Sequence, residues 1–186
     1  MPTTFLVPLL IGFGLNSASA FTTAFSGRWG ARAGQLAGAL LRNVLGIPMW
    51  VIGVALAVQA PAGLVFRPGL VVILVGWLVF GAGVIPIALG AAALGRRAAA
   101  PAMGDRLECR GVYAFVRHPI YTGMLLEFAG LALLRPTAPV LLACALGLGW
   151  IAVQARLEEL DLLRRLPAYR GYMDQVPRFV PRLRPR

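Results

Sequence analysis

Charged residues are scarce in this sequence, and so are cysteine and histidine. Only 13% of the 186 residues are charged, whereas 59% are hydrophobic, which excludes an ordinary soluble domain. Cys109 and Cys144 are too few for a disulfide framework, and neither has metal-ligand neighbours at a useful spacing. Lysine is absent, so all 18 basic residues are arginine. The sequence therefore predicts neither a disulfide-stabilised domain nor a metal site.

Long stretches without any charged side chain define the class of protein. They cover residues 1–27, 43–66, 68–95 and 136–155. Each is about as long as the roughly 20 residues that cross a hydrocarbon core as a helix, or longer. The sequence thus predicts an all-α integral membrane protein with about five transmembrane helices. We expect them at about 4–25, 44–65, 68–94, 120–134 and 137–155.

The fourth predicted helix is shorter than a membrane is thick. From Tyr121 to Leu134 it would measure roughly 21 Å at about 1.5 Å per residue, against a core of about 30 Å. Non-helical backbone at that depth is tolerated only where it is buried in protein or lines a cavity. Residues 111–121 are therefore expected to wall a cavity. The tight turn "RPTAP" then joins the fourth and fifth helices into an antiparallel hairpin.

The arginines are distributed unevenly along the chain. Sixteen lie in 28–42, 96–117 or 156–186, and only Arg67 and Arg135 fall in the alternate loops. The positive-inside rule then predicts a cytoplasmic C-terminus and an N-terminus outside. The net charge of +11 is thereby explained by topology and by attraction to anionic lipid, and no nucleic-acid partner is expected.

The polar tail after residue 155 divides into two parts. Leu157, Leu160, Leu163 and Leu166 recur at helical spacing between charges, which predicts an amphipathic helix that continues or bends off the fifth span. The final stretch "VPRFVPRLRPR" is predicted to be extended and to anchor on anionic lipid, without a chemical role.

Two polar clusters are predicted on the same side of the membrane. One is Arg117-His118-Pro119-Ile120-Tyr121, and the other is Arg156 with Glu158 and Glu159. The hairpin between them returns the chain to the side it left, so about forty residues of separation become spatial proximity. Each cluster alone could be a packed turn or a solvated face. Their occurrence at the two mouths of one hairpin favours a functional site.

These residues resemble a known family. "GVYAFVRHPIYTG", followed by a hairpin, then "EE" and "Y..Y...VP...P", is similar to isoprenylcysteine carboxyl methyltransferases, a group of integral-membrane enzymes related to phospholipid N-methyltransferases. The resemblance covers about 80–183, although Leu166-Pro167 stands where many relatives have Phe-Gly. It implies one methyltransferase domain over 1–186, in which two N-terminal transmembrane helices (1–66) precede a catalytic core (67–186).

The resemblance also implies a cofactor and its binding residues. S-adenosyl-L-methionine would sit in a cytoplasmic pocket between the hairpin and the C-terminal segment, while a membrane lipid or lipid-like acceptor arrives laterally. A carboxylate, chiefly that of Glu159, suits the cofactor's ammonium; an arginine suits its carboxylate, and aromatic faces attract its cation. The expected cofactor-binding residues are Tyr113, Arg117, His118, Tyr121, Glu158 and Glu159.

The methyl acceptor is predicted to be a lipidic carboxylate, which is already ionised and needs no base. Arg156 would hold it. If the acceptor is instead a phospholipid amine, Glu127 is the candidate base, since an acid inside a membrane helix suggests a function. An alternative of another class is a non-catalytic helix bundle that binds a small molecule or only packs. The oligomeric state and the role of the first two helices are not predicted.

Overall fold

The computed structural model describes residues 3–181, which fold into helices joined by loops. The α-helices are α1 (Leu6–Ala18), α2 (Thr22–Trp29), α3 (Ala31–Ala39), α4 (Ile47–Gln59), α5 (Leu70–Leu94), α6 (Arg96–Ala99), α7 (Pro119–Leu134), α8 (Ala138–Arg165) and α9 (Tyr169–Gln175). A π-helical segment, Leu40–Gly46, joins α3 to α4, and a 3-10 turn, Gly111–Ala114, precedes α7. The predicted all-α membrane fold is confirmed.

Three helical stretches among the described residues are long and apolar enough to cross a membrane. They are Ala31–Gln59, Leu70–Leu94 and Ala138–Arg165. α1 and α2 provide a fourth if they are counted together, although they are bent by 65° at the break between them. α7 is apolar but has only 16 residues, in agreement with the short fourth helix of the prediction.

Helix boundaries differ from the prediction where polar side chains lie inside the bundle. The predicted helix 4–25 is broken at 19–21, where Ser19 Oγ donates to the Asn16 carbonyl. The predicted helix 44–65 is instead the stretch 31–59. The prediction began after the charge of Arg42, but this residue lies within the helical stretch and its guanidinium donates to the Ala98 carbonyl. The predicted amphipathic helix is the continuation of α8, which runs unbroken to Arg165.

α5 and α7 pack closely along their length because glycines remove the side chains between them. A Cβ on Gly83 would lie 2.6 Å from the Gly123 carbonyl oxygen, and a Cβ on Gly123 would overlap the Gly83 carbonyl. Small residues of this kind allow helix backbones to approach in membranes, where the hydrophobic effect between helices is absent. α5 continues helically through Pro86 in this packing.

α1, α4 and α8 form the second half of the bundle around an aromatic cluster. The rings of Phe13 and Trp150 are stacked with centroids 4.4 Å apart, and Trp50 lies 6.1 Å from Trp150. Trp50 also contacts Phe128 of α7, with ring centroids 6.5 Å apart. The cluster therefore joins the N-terminal helices to the hairpin.

The hairpin loop and the α4–α5 loop lie together at one end of the bundle. Val65 N donates to the Pro136 carbonyl at 2.7 Å, and Arg135 Nε donates to the Val58 carbonyl at 2.6 Å. α5 ends, α7 begins and α8 ends at the opposite end of the bundle. The polar clusters predicted from the sequence are thus brought to that opposite end.

Candidate active site

A cavity of about 360 Å³ opens at the end of the bundle where α7 begins. The hairpin contributes His118, Tyr121 and Glu158 to its wall, and the 95–118 connection contributes Arg97 and Tyr113. The N-terminal third contributes further polar residues, including Asn16, Ser19, Thr22 and Arg42. The volume of the cavity falls within the range of about 300–1,000 Å³ that is typical of small-molecule sites.

Glu159 lies behind the cavity wall with three cationic or potentially cationic partners. Its side chain is 0% exposed. Arg117 donates to Oε1 from Nε (3.2 Å) and from its terminal nitrogen (3.0 Å). Arg178 donates to Oε1 (3.0 Å) and Oε2 (2.5 Å), and His118 Nε2 lies 3.2 Å from Oε1. The carboxylate is therefore fully engaged within the protein, and the cofactor contact predicted for it stays a prediction.

Glu158 is the neighbouring carboxylate and lines the cavity. Its Oε1 accepts from the Tyr121 hydroxyl at 2.5 Å and from Gln154 Nε2 at 3.1 Å. The Nδ1 of His118 lies 4.0 Å from its Oε2. Within residues 3–181 Glu158 has no arginine partner, and its side chain, 25% exposed, presents a carboxyl group to the cavity.

His118 lies between the two glutamates because it is the residue directly before the first turn of α7. Pro119 occupies the first turn of α7, and His118 before it is non-helical with φ −123° and ψ 66°. Its ring stacks on Tyr121, with centroids 5.5 Å apart. Because a carboxylate only accepts hydrogen bonds, the Nε2 that faces Glu159 carries a proton.

Three tyrosines fix the 3-10 turn against the tail. The Tyr172 hydroxyl donates to the Tyr113 carbonyl at 2.7 Å, and Tyr169 packs on Tyr172. Burial raises the pKa of the Tyr172 phenol, so the group stays a neutral donor. Burial, with the Glu158 carboxylate nearby, likewise raises the pKa of Tyr113. Both Tyr113 and Tyr169 also line the cavity.

Polar side chains hold the connection between α5 and α7 over the cavity. The last carbonyls of α6 and its C-cap have no partner within that short helix. They accept from the N-terminal segment: Ala98 from Arg42, Ala99 from Asn43 (2.6 Å) and Ala100 from Gln35 (2.9 Å). Arg165 of α8 donates to the Ala102 carbonyl, two residues further along the chain, at 2.7 Å.

Two predicted catalytic residues lie away from the cavity. Arg156 is exposed on α8 and does not line it. Glu127 lies between α7 and α5, where a Cβ on Gly83 would be 2.9 Å from its Cγ, and it does not line the cavity either. Within residues 3–181 neither side chain makes a hydrogen bond or ion pair. Their catalytic roles stay predictions.

The tail contributes to the polar cluster behind the cavity, although no chemical role was predicted for its final stretch. Arg117 N and His118 N donate to the carbonyls of Pro177 (2.8 Å) and Arg178 (3.1 Å), and the Arg178 guanidinium binds Glu159. The expectation that this stretch only anchors on lipid is therefore wrong for residues 176–181, since residue 178 forms part of the ion-pair cluster. The "VPRF" string at 176–179, shortly after Tyr169 and Tyr172, was the part of the sequence that could have indicated this contact. Residues 182–186 lie outside the described part of the chain.

The fold and the site define a polytopic all-α membrane protein with a polar cavity at one end of its bundle. A family model described as phospholipid methyltransferase matches residues 69–166, more than half of the chain. The chain therefore belongs to this family of integral-membrane methyltransferases, and the resemblance to the isoprenylcysteine carboxyl methyltransferase-like group is confirmed. No curated protein and no solved structure matches the chain.

Proposed function

We propose that this chain is a methyltransferase that uses S-adenosyl-L-methionine to methylate a lipidic carboxylate in the membrane. The observation that carries the proposal is the pair of adjacent glutamates in opposite states. Glu159 is neutralised by Arg117 and Arg178, whereas Glu158 faces the cavity and has no arginine partner in the described part of the chain. An unneutralised carboxylate in a cavity is a binding group for a cation, and the cofactor carries two cationic centres.

The residues around the cavity fit the cofactor. Glu158 would accept from its ammonium group, in a charge-assisted hydrogen bond. Tyr121 and Tyr113 would face its sulfonium or its adenine, because cations are attracted to aromatic faces. His118 would support both by its stacking on Tyr121 and its contact with Glu159. Arg117 acts through Glu159 in this proposal and positions the wall.

The chain's own contribution to the reaction is positioning. When bound, the cofactor would supply a methyl group on positive sulfur for transfer to an acceptor oxygen, and the electron pair of the carbon–sulfur bond would stay on sulfur. The walls would hold the two partners in line, which can contribute about 7–11 kcal/mol to lowering the barrier. No residue has to remove a proton if the acceptor is an ionised carboxylate.

A phospholipid amine is the second candidate acceptor, and the description of the matched family favours it. An amine that arrives protonated must lose a proton before or during transfer. His118 lines the cavity and could take that proton through Nδ1, which lies 4.0 Å from Glu158. Glu127, the base predicted from the sequence, would have to act from outside the cavity.

Calorimetric binding of S-adenosyl-L-methionine to the detergent-solubilised protein tests the proposal. We expect wild type to bind, and Glu158→Gln to bind at least about tenfold more weakly, because one charge-assisted hydrogen bond is lost. Asp174→Asn is the matched control, since Asp174 is an exposed acid of α9 outside the cavity. It should bind as wild type does.

Methyl transfer from labelled cofactor then identifies the acceptor. Separate detergent mixtures with oleate and with phosphatidylethanolamine distinguish the carboxylate from the amine. Folded wild-type protein that binds no cofactor would refute the proposed function. Cofactor binding with equal affinity in Glu158→Gln would leave the methyltransferase assignment intact and remove Glu158 from the site.

A further inference from the structure

Arg42 is a charged residue inside a stretch long and apolar enough to span a membrane, Ala31–Gln59. It is half-buried, lines the cavity and is carried by the π-helical segment Leu40–Gly46. An ionisable side chain within a membrane helix is costly and therefore suggests a function. π-Helical segments are rare and frequently occur at functional sites. Residue 42 also lies outside the stretch that matches the family, 69–166.

Among residues 3–181, Arg42 is the one half-buried arginine of the cavity without an acidic partner. Arg117 pairs with Glu159 (3.0 Å), Arg165 with Asp161 (3.1 Å) and Arg97 with Glu108 (3.1 Å). The fifth, Arg106, is exposed. Within residues 3–181, no carboxylate lies within 4.0 Å of Arg42, and its side chain makes one hydrogen bond, to the Ala98 carbonyl. Most donors of a half-buried guanidinium are thus left for a ligand.

The geometry of the π-helix gives this cation an apolar neighbour on the same face. Ile47 N donates to the Arg42 carbonyl, which is the five-residue bond of a π-helix. Residues five apart therefore lie one above the other, and Arg42 and Ile47 both line the cavity. Ile87 and Ala91 of α5 line it as well, and Ile47 is itself 36% exposed on the outside of the bundle.

We propose that Arg42 binds the oxyanion, carboxylate or phosphate, of the amphiphilic methyl acceptor and thereby determines acceptor specificity. The inference rests on the proposed function. In this proposal the cavity has two charged binding groups, Glu158 for the cationic cofactor and Arg42 for the anionic acceptor. The acceptor's apolar chain would follow Ile47 and the α5 wall toward the hydrocarbon. A guanidinium suits both oxyanions, because its fork of donors matches carboxylate and phosphate.

Quenching of tryptophan fluorescence by brominated amphiphiles measures this binding without turnover. Trp50 and Trp150 line the cavity, so exposed Trp29 and Trp77 are first replaced by Phe. The probes are dibromostearate for the carboxylate, dibrominated phosphatidylethanolamine for the phosphate, and dibromostearyl alcohol as the amphiphile without an anion. We expect an anionic probe to bind more tightly than the alcohol, and Arg42→Gln to weaken that probe about tenfold and the alcohol hardly at all.

Two matched variants separate binding from structure. Asn43→Ala removes the neighbouring bond to the Ala99 carbonyl but keeps the charge, and Arg32→Gln removes an exposed arginine of α3. Both variants should keep the preference for the anion. The probe whose binding Arg42→Gln weakens then shows whether the acceptor's oxyanion is a carboxylate or a phosphate. The inference would be overturned if Asn43→Ala weakened binding of the same probe as much as Arg42→Gln does, or if Arg42→Gln weakened binding of the alcohol equally. It would also be overturned if wild type bound the alcohol as tightly as the probes with an oxyanion. Cofactor calorimetry on the same samples shows separately whether the proposed function has failed.

Discussion

At the scale of single residues, two adjacent glutamates have opposite environments. Successive residues of a helix point about 100° apart, since a turn takes about 3.6 residues. Glu159 therefore points at Arg117 and Arg178, while Glu158 points at the cavity. Hydrogen bonding to Glu159 raises the pKa of Arg178, which keeps that guanidinium charged. The same chemical group thus stabilises the wall at one position and remains available to a ligand at the next.

Replacing Glu159 should affect stability more than replacing Glu158. Glu159→Gln leaves Arg117, whose side chain is 9% exposed, without its counter-charge, and removing one partner of a buried pair costs about 3–5 kcal/mol. We expect a clear fall in the thermal midpoint of the detergent-solubilised protein, and a much smaller fall for Glu158→Gln. Arg178→Gln added to Glu159→Gln should recover part of the loss. Equal midpoints for the two single variants would contradict this assignment.

At the scale of helices, the α5–α7 contact positions the site. Gly90 of α5 meets Pro119 at the first turn of α7, since a Cβ there would lie 2.9 Å from the Pro119 ring. The helix N-terminus that follows His118 is thereby held against α5. The close approach at Gly83 and Gly123 sets the distance between the two axes, so a side chain added there displaces the wall of the cavity.

Gly123→Ala should destabilise the protein, because the added methyl overlaps the Gly83 carbonyl and backbone cannot move aside as a side chain can. Overpacking of this kind costs about 1–3 kcal/mol. Gly81→Ala on α5 is the matched control, since its Cβ would meet nothing within 4 Å. Thermal midpoints of both variants in detergent provide the measurement. A loss in Gly81→Ala as large as that in Gly123→Ala would show that helix propensity, not close packing, is responsible.

At the scale of the whole molecule, parts of the chain far apart in sequence complete the cavity. Thr23 N donates to Asp161 Oδ1 at 2.8 Å, and Trp150 Nε1 donates to Ser17 Oγ at 3.1 Å. The N-terminal third therefore forms a wall of the site, although the family match begins at residue 69. The division into two N-terminal helices and a core at residue 66 stays a prediction.

Cysteine labelling tests the proposed orientation, with the cavity on the cytoplasmic side. Cys109 is exposed on the connection between α5 and α7, whereas Cys144 is buried in the bundle. A membrane-impermeant maleimide should label Cys109 in inside-out vesicles and not in intact cells. Burial and Glu108 raise the Cys109 pKa, so the thiolate fraction is small at neutral pH and labelling should speed up as pH rises. Labelling in intact cells would invert the topology.

Much of the fold and part of the site followed from the sequence. The uncharged runs located α5 and most of α8, and the short fourth predicted helix, which is α7, indicated a cavity walled by residues near His118. The clusters at 117–121 and 158–159 do meet. Which glutamate faces the cavity could not be predicted, because it depends on the rotation of α8 about its axis. The contribution of Arg178 depended on where the tail docks.

The sequence by itself determined the class of protein, the helical hairpin and the shared side of the two polar clusters. These follow from the lengths of apolar runs and from the positions of charges, which are local properties of the chain. Only the tertiary structure decided that Glu158 lines the cavity and that Glu159 is paired with arginines. It also decided that Arg42 faces the same cavity with no acidic partner among the described residues. Those outcomes depend on contacts between residues far apart in the chain, and on helix rotations that hydropathy does not specify.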